Sequence, residues 1–242
     1  MSLITFVLIF ILALTVRYTL HFGFSMIFVP LYTLLNNFMD AVSLAIVFEI
    51  LIGILLTVRL RKYLNFFNLM ELKFYAILGA YLGVQLLNIF SNHNILIIFS
   101  MSLVILSSII FLIHDIKIPI NKITTGFTGI SSGLTNAFTS ISGAPIVIYF
   151  YHSEYSKKWI QGSLAGYFLI LYAFTFIFRY TEFESYHNIN FLLIGIGFSL
   201  TIIYHFFISI KIKDIEIANL KKYALYFISF ISFLVIINTK IN

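Results

Sequence analysis

Two polar interruptions of apolar runs gather side chains able to do chemistry. The first holds His21, Gly23 and Ser25. The second holds Asn136, Thr139, Ser140, Ser142 and Gly143, inside the stretch TTGFTGISSGLTNAFTSISGAPIVIYFYH from Thr124 to His152. Hydroxyls, an amide and the bare N–H groups at the start of a new helix are neutral donors. The positive end of a helix dipole stands beside such N–H groups. Together they can replace the hydration of an oxyanion without a fixed positive charge. Binding of that kind is weak enough to release its ligand, as transport requires. Gly143 would let the backbone approach a ligand closely.

Three further polar residues interrupt apolar segments. Glu49 is the only acidic residue in the middle of one, and such residues usually face the interior of a helix bundle. Glu49 is therefore a candidate for proton coupling, with His205 and Gln85 as weaker ones. Each candidate has a plainer alternative. Serines and small residues at helical spacing join helices to one another, which is the reading adopted for Gly126, Gly129 and Gly133. Glu49 can be a neutral hydrogen-bonded acid or the partner of an arginine. His21 can lie at the outer rim or cap a helix end. Gln85 and His205 can bond neighbouring helices and do nothing else.

The elements that must position these residues follow from composition. The chain has 242 residues, 61% hydrophobic and 10% charged, with mean hydropathy +1.03. Soluble domains carry about 25% charged residues, so the expectation is an all-α integral membrane protein. The formal charge of +6 does not indicate nucleic acid, because the basic residues lie between apolar runs, where membrane topology places them. With no cysteine there are no disulfides, thiolate metal sites or thiol chemistry. His114 and Asp115 lack a third ligand. No paired nucleophile and base, phosphate loop or zinc spacing is present, so no catalytic residue, metal or cofactor is expected. The N-terminus lacks the basic region and cleavage site of a signal peptide, and residues 2–16 are read as part of the first membrane helix.

Ten apolar segments are expected, near residues 2–20, 24–36, 40–58, 73–91, 94–113, 119–138, 143–152, 159–179, 187–210 and 221–239. The second and seventh are too short for the roughly 20 residues of a spanning helix. Each follows a tight break and carries a proline, Pro30 or Pro145, placed here in the tolerant first turn of a helix. Arg59, Arg61, Lys62 and Lys73 mark one cytoplasmic loop by the positive-inside rule. Lys117 and Lys122 mark a second, Lys157 and Lys158 a third, and Lys211, Lys213, Lys221 and Lys222 a fourth. The second and third are on one side, so segments six and seven must cross twice or re-enter as a hairpin. Both termini then face outward, with Arg17, Arg179 and Lys240 as counter-votes. Trp159, Tyr149, Tyr151 and Tyr155, beside Lys157 and Lys158, read as an interfacial aromatic belt.

The chain also reads as a faint duplication, 1–114 and 115–242. Ser43-Leu44-Ala45 recurs as Ser163-Leu164-Ala165, Phe48 matches Phe168, Arg59 matches Arg179, Pro30 pairs with Pro145 and Gly79 with Gly195. Five segments per half is odd, so the halves should be inverted. Inverted repeats whose broken or re-entrant helices meet near the midplane are the sequence pattern of secondary transporters.

At this point the motifs resemble a known family. Gly129 with Gly133-Leu134-Thr135-Asn136, ending in Ser142-Gly143-Ala144-Pro145, is similar to the second-half signature of the TauE/SafE sulfite exporter family. His21-Phe22-Gly23-Phe24-Ser25, running into Val29-Pro30-Leu31, resembles its first-half version. Leu78-Gly79-Ala80-Tyr81-Leu82-Gly83 resembles its glycine-rich fourth segment. The family often has glycine where this chain has Ala137, Ser140 and Ala144, and a small residue where it has His21. The resemblance implies a multi-pass protein of the cell (inner) membrane that exports or imports a small anion, sulfite or a small organosulfonate being the usual substrates, with proton coupling as one route. The partners so implied are a small anionic solute and the lipid bilayer, and a homo-oligomer is compatible with such a chain. An intramembrane enzyme using His21 or Glu49, and a membrane scaffold or assembly factor, are the alternatives from other classes.

Overall fold

The computed structural model describes residues 2–20, 22–64, 69–89, 93–112, 121–151, 157–182, 190–208 and 217–241. These residues form ten α-helices and no strand: α1 (Leu3–Leu20), α2 (Phe24–Thr33), α3 (Phe38–Arg59), α4 (Met70–Ile89), α5 (His93–Leu112), α6 (Lys122–Thr139), α7 (Gly143–Tyr151), α8 (Lys157–Glu182), α9 (Phe191–Ile203) and α10 (Ile217–Ile241). A 3-10 turn at Arg61–Tyr63 follows α3, and a π turn at Tyr204–Ile208 extends α9. Every expected segment has a helix. Among the described residues, three helical stretches are long and apolar enough to cross a membrane alone: Phe38–Arg59, Met70–Leu87 and Lys158–Glu182.

The two short segments are short helices. At about 1.5 Å per residue, the ten residues of α2 and nine of α7 cover roughly half of a hydrocarbon core about 30 Å thick. Each folds back on the helix before it. Phe24 meets Phe10 at 5.3 Å between ring centroids and Phe28 meets Phe6 at 6.1 Å, so α2 runs antiparallel to α1. The Tyr149 hydroxyl lies 2.7 Å from that of Thr125, and Ser132 donates to the Ser142 carbonyl at 2.9 Å, so α7 runs antiparallel to α6. Tyr149 is thus a buried clasp of this hairpin and not a member of an interfacial belt. Its burial is set by the turn of the chain, which local composition beside Lys157 does not reveal. Tyr155 lies outside the described residues, as do His114 and Asp115.

The two hairpins point in opposite directions. Phe10 packs on Phe48, and Arg59 at the end of α3 lies within electrostatic reach of Tyr18 at the end of α1, which makes α1 parallel to α3. Gly53 faces Leu169 and Gly162 faces Tyr63, which makes α8 antiparallel to α3. Tyr167 bonds Ser132, and Asn136 bonds Thr175, which makes α6 parallel to α8.

The proline placement holds for one hairpin only. Pro145 is the third residue of α7, in its first turn. Pro30 is the seventh of ten in α2, where its ring removes a donor from the Met26 carbonyl. The helix begins at Phe24, directly after the break, and the proline comes near its end.

The most extensive packing is α4 on α6, with α5 on α10 and α3 on α8 also extensive, so the two halves interlock. A Cβ at Gly129 would stand 2.6 Å from the Tyr75 Cβ, and one at Gly133 2.6 Å from the Ala80 nitrogen as well as against the Ala76 carbonyl. Gly79 faces the Ile130 backbone equally closely. Close backbone approach through small residues is how helices associate in lipid. Gly195, paired with Gly79 by the duplication, has no atom within 4 Å of its would-be Cβ.

Candidate functional site

Three residues separate α1 from α2, and three separate α6 from α7. Each break contains a residue in the left-handed region, Gly23 at φ 96° and Ser140 at φ 60°. Glycine reaches that conformation without penalty. For Ser140 the cost is roughly 1–2 kcal/mol, so its surroundings must hold it there. They do so with hydrogen bonds. The Ser140 N–H donates to the Asn136 carbonyl at 2.8 Å. The Ser140 carbonyl accepts from the Tyr172 hydroxyl at 2.7 Å. The Thr139 hydroxyl donates to the Thr135 carbonyl at 2.7 Å and accepts from the Ile141 N–H at 2.9 Å. Arg179, fully buried, donates to the Ala137 carbonyl, at the negative end of the α6 dipole. Arg179 is therefore an interior side chain, where the sequence alone offered it as a counter-vote on sidedness.

The tips of the two hairpins meet. The Ser25 and Ser140 hydroxyls are 3.0 Å apart, and the Phe22 ring lies 3.4 Å from the point where a Cβ on Gly143 would sit. Between the tips is a small cavity lined by Arg17, Phe22, Gly23, Ser25, Met26, Glu49, Ser140, Ile141, Ser142, Gly143, Phe168 and Tyr172. The space open to a water's centre is about 10 Å³, room for about one water molecule. The N-termini of α2 and α7 both face this cavity, so two positive dipole ends converge on it.

Among the described residues that line it, the charge comes from one pair. Arg17 Nε lies 3.1 Å from Glu49 Oε2, with the side chains 1% and 3% exposed. The guanidinium carbon also stands 5.1 Å from the centre of the Phe168 ring. Ser25 donates to Glu49 Oε1 at 3.4 Å. A hydroxyl has a single proton, so the Ser140 hydroxyl is the donor in the Ser25–Ser140 contact. Ser142 donates to the Tyr172 hydroxyl at 3.4 Å.

Of the residues singled out from sequence, Gly23, Ser25, Glu49, Ser140, Ser142 and Gly143 line this one cavity. Thr139 shapes the break without lining the cavity. Asn136 sits one turn earlier, its amide donating to Thr175 Oγ1 at 2.8 Å. His205 is off the cavity, its Nδ1 2.8 Å from the Tyr18 hydroxyl. Gln85 donates to Glu182 Oε1 at 3.1 Å on an exposed face. His21 lies outside the described residues. Sequence reasoning missed Arg17, Phe168 and Tyr172. Arg17 carried a usable signal: it is a cation that disagrees with the positive-inside pattern, in a chain with one mid-segment acid. Phe168 and Tyr172 carried none, since aromatics are common throughout.

Apolar helices long enough to span, packed around a buried polar centre, define an all-helical membrane protein. Residues 6–235, nearly the whole chain, match the family model described as "Sulfite exporter TauE/SafE", and the chain belongs to that family. Membership makes it a membrane transporter. No curated protein and no solved structure matches it.

Proposed function

We propose that the chain is a secondary transporter carrying a small oxyanion, sulfite or an organosulfonate or organic acid, by alternating access across the cell (inner) membrane. The observation that carries this reading is the meeting of the two helix breaks at Ser25 and Ser140, 3.0 Å apart, beside the buried Arg17–Glu49 pair. Irregular backbone at membrane depth is tolerated where it is buried in protein or lines a cavity, and these breaks do both.

In this reading the α1–α2 and α6–α7 hairpins are the equivalent parts of two inverted repeats, one entering from each side. The bound solute would meet the N-termini of α2 and α7, the hydroxyls of Ser25, Ser140 and Ser142, and the Arg17 guanidinium. A cavity with room for about one water is too small for a sulfonate. The tips must therefore part to admit one, and parting toward one side while staying closed to the other is alternating access. Glu49 is the proton-coupling residue. His205 is a second proton-coupling candidate, bonded to Tyr18, the neighbour of Arg17 in sequence.

The test is solute flux into proteoliposomes, with sulfite, methanesulfonate and acetate as probes. Wild type should accumulate at least one of them, and Ser25→Ala and Ser140→Ala should slow uptake while eluting as folded protein. Wild-type rates in both variants would defeat the site assignment. A scaffold would give no flux, and an enzyme would return its ligand altered.

A further inference from the structure

Among the described residues, the central cavity holds one guanidinium and one carboxyl, buried against each other. Arg17 comes from the last turn of α1 and Glu49 from the middle of α3. Their contact is 3.1 Å. A negatively charged solute entering between the tips meets a cation already engaged by a carboxylate of this same chain.

Charge in a buried site is expensive unless balanced. Arg17 with ionised Glu49 is neutral. Adding a monoanion leaves one uncompensated negative charge. Adding a monoanion and a proton on Glu49 restores neutrality, and the protonated carboxyl turns from acceptor into donor. A dianion leaves an excess charge even with that proton.

We infer that Glu49 is a built-in competitor of the transported solute for Arg17, displaced by taking up one proton, so that the site accepts a monoanion such as a sulfonate, bisulfite or a carboxylate together with one proton. This rests on the reading of the cavity as the transport site. Among the described residues, the groups facing the pair come from three sides. From α8 they are Tyr172 and the Phe168 ring, and from α2 and the α6–α7 turn they are the hydroxyls of Ser25, Ser140 and Ser142. On α1 and the α9 side, Tyr18 and His205 bond each other, and Tyr204 donates to Thr15. At the far end of α8, Arg179 is on the Ala137 carbonyl. Among the described residues lining the cavity, Glu49 is therefore the carboxyl whose protonation can loosen its hold on Arg17.

Binding of methanesulfonate and of sulfate to the purified protein tests this, read by calorimetry between pH 6 and 8, where neither probe changes charge. One proton taken up per anion makes methanesulfonate affinity rise about tenfold for each unit the pH falls while Glu49 is ionised in the empty site. Sulfate should bind more weakly throughout. Glu49→Gln removes the competitor, so it should bind methanesulfonate more tightly than wild type at pH 8 and with no pH slope. Should that variant fail to fold, the wild-type slope and the sulfate comparison decide the matter alone. A flat wild-type profile, a Glu49→Gln protein that keeps the wild-type slope, or tighter sulfate binding overturns the inference and leaves the transport reading standing. Failure of methanesulfonate, acetate and bisulfite to bind at any pH overturns both.

Discussion

The hydroxyl of Ser25, in the first turn of α2, lies 3.0 Å from that of Ser140, in the turn after α6. The two residues are 115 positions apart in sequence, and theirs is the hydrogen-bonding contact between hairpin tips that also meet at Phe22 and Gly143. If it closes the cavity, the two side chains should be energetically coupled. In a double-mutant cycle of Ser25→Ala and Ser140→Ala, thermal unfolding should give a coupling near 1 kcal/mol, the usual net worth of one hydrogen bond. Strict additivity would mean the tips do not hold each other.

Ser140 combines a strained backbone with a functional hydroxyl, and glycine separates the two. Ser140→Gly relieves a conformational cost of roughly 1–2 kcal/mol and loses about 1 kcal/mol of hydrogen bond. Stability should therefore change by less than about 1 kcal/mol, whereas flux should fall as it does in Ser140→Ala. Normal flux in the glycine variant, with loss in the alanine variant, would assign Ser140 a backbone role only.

The α4–α6 crossing has no space for a methyl group. Gly133→Ala would drive Cβ into the Ala76–Ala80 backbone, and overpacking of this kind costs typically 1–3 kcal/mol. Gly195→Ala meets nothing within 4 Å, so it should be neutral or gain up to about 1 kcal/mol from helix propensity. Melting temperatures in detergent check both. Equal behaviour of the two variants would contradict the crossing geometry.

The opposed hairpins predict sidedness. Leu35 is 53% exposed just beyond α2, and Lys122 is exposed at the start of α6. In this cysteine-free chain, Leu35→Cys should react with an impermeant maleimide added outside cells, and Lys122→Cys only after permeabilisation. Labelling of both from one side would sink the inverted arrangement.

Sequence alone determined the class of this protein. Apolar runs near 20 residues long point to helices that satisfy their own backbone in lipid, and the run lengths marked each helix among the described residues, including α2 and α7 as half-length pieces. Gly23, Ser25, Ser140, Ser142 and Gly143 were legible because a polar interruption in lipid is costly and therefore conspicuous. Tertiary structure decided what those interruptions touch. It brought Ser25 to Ser140 and Tyr172 under the Ser140 carbonyl, and it set Asn136 and His205 apart from the cavity. It also turned Arg17 from a stray topological vote into the cation beside Glu49. The physical reason is that local cost is written into each stretch of chain, whereas partners are chosen by how helices cross. That depends on the shapes of surfaces, such as those at Gly79 and Gly133, which come together only in the folded chain.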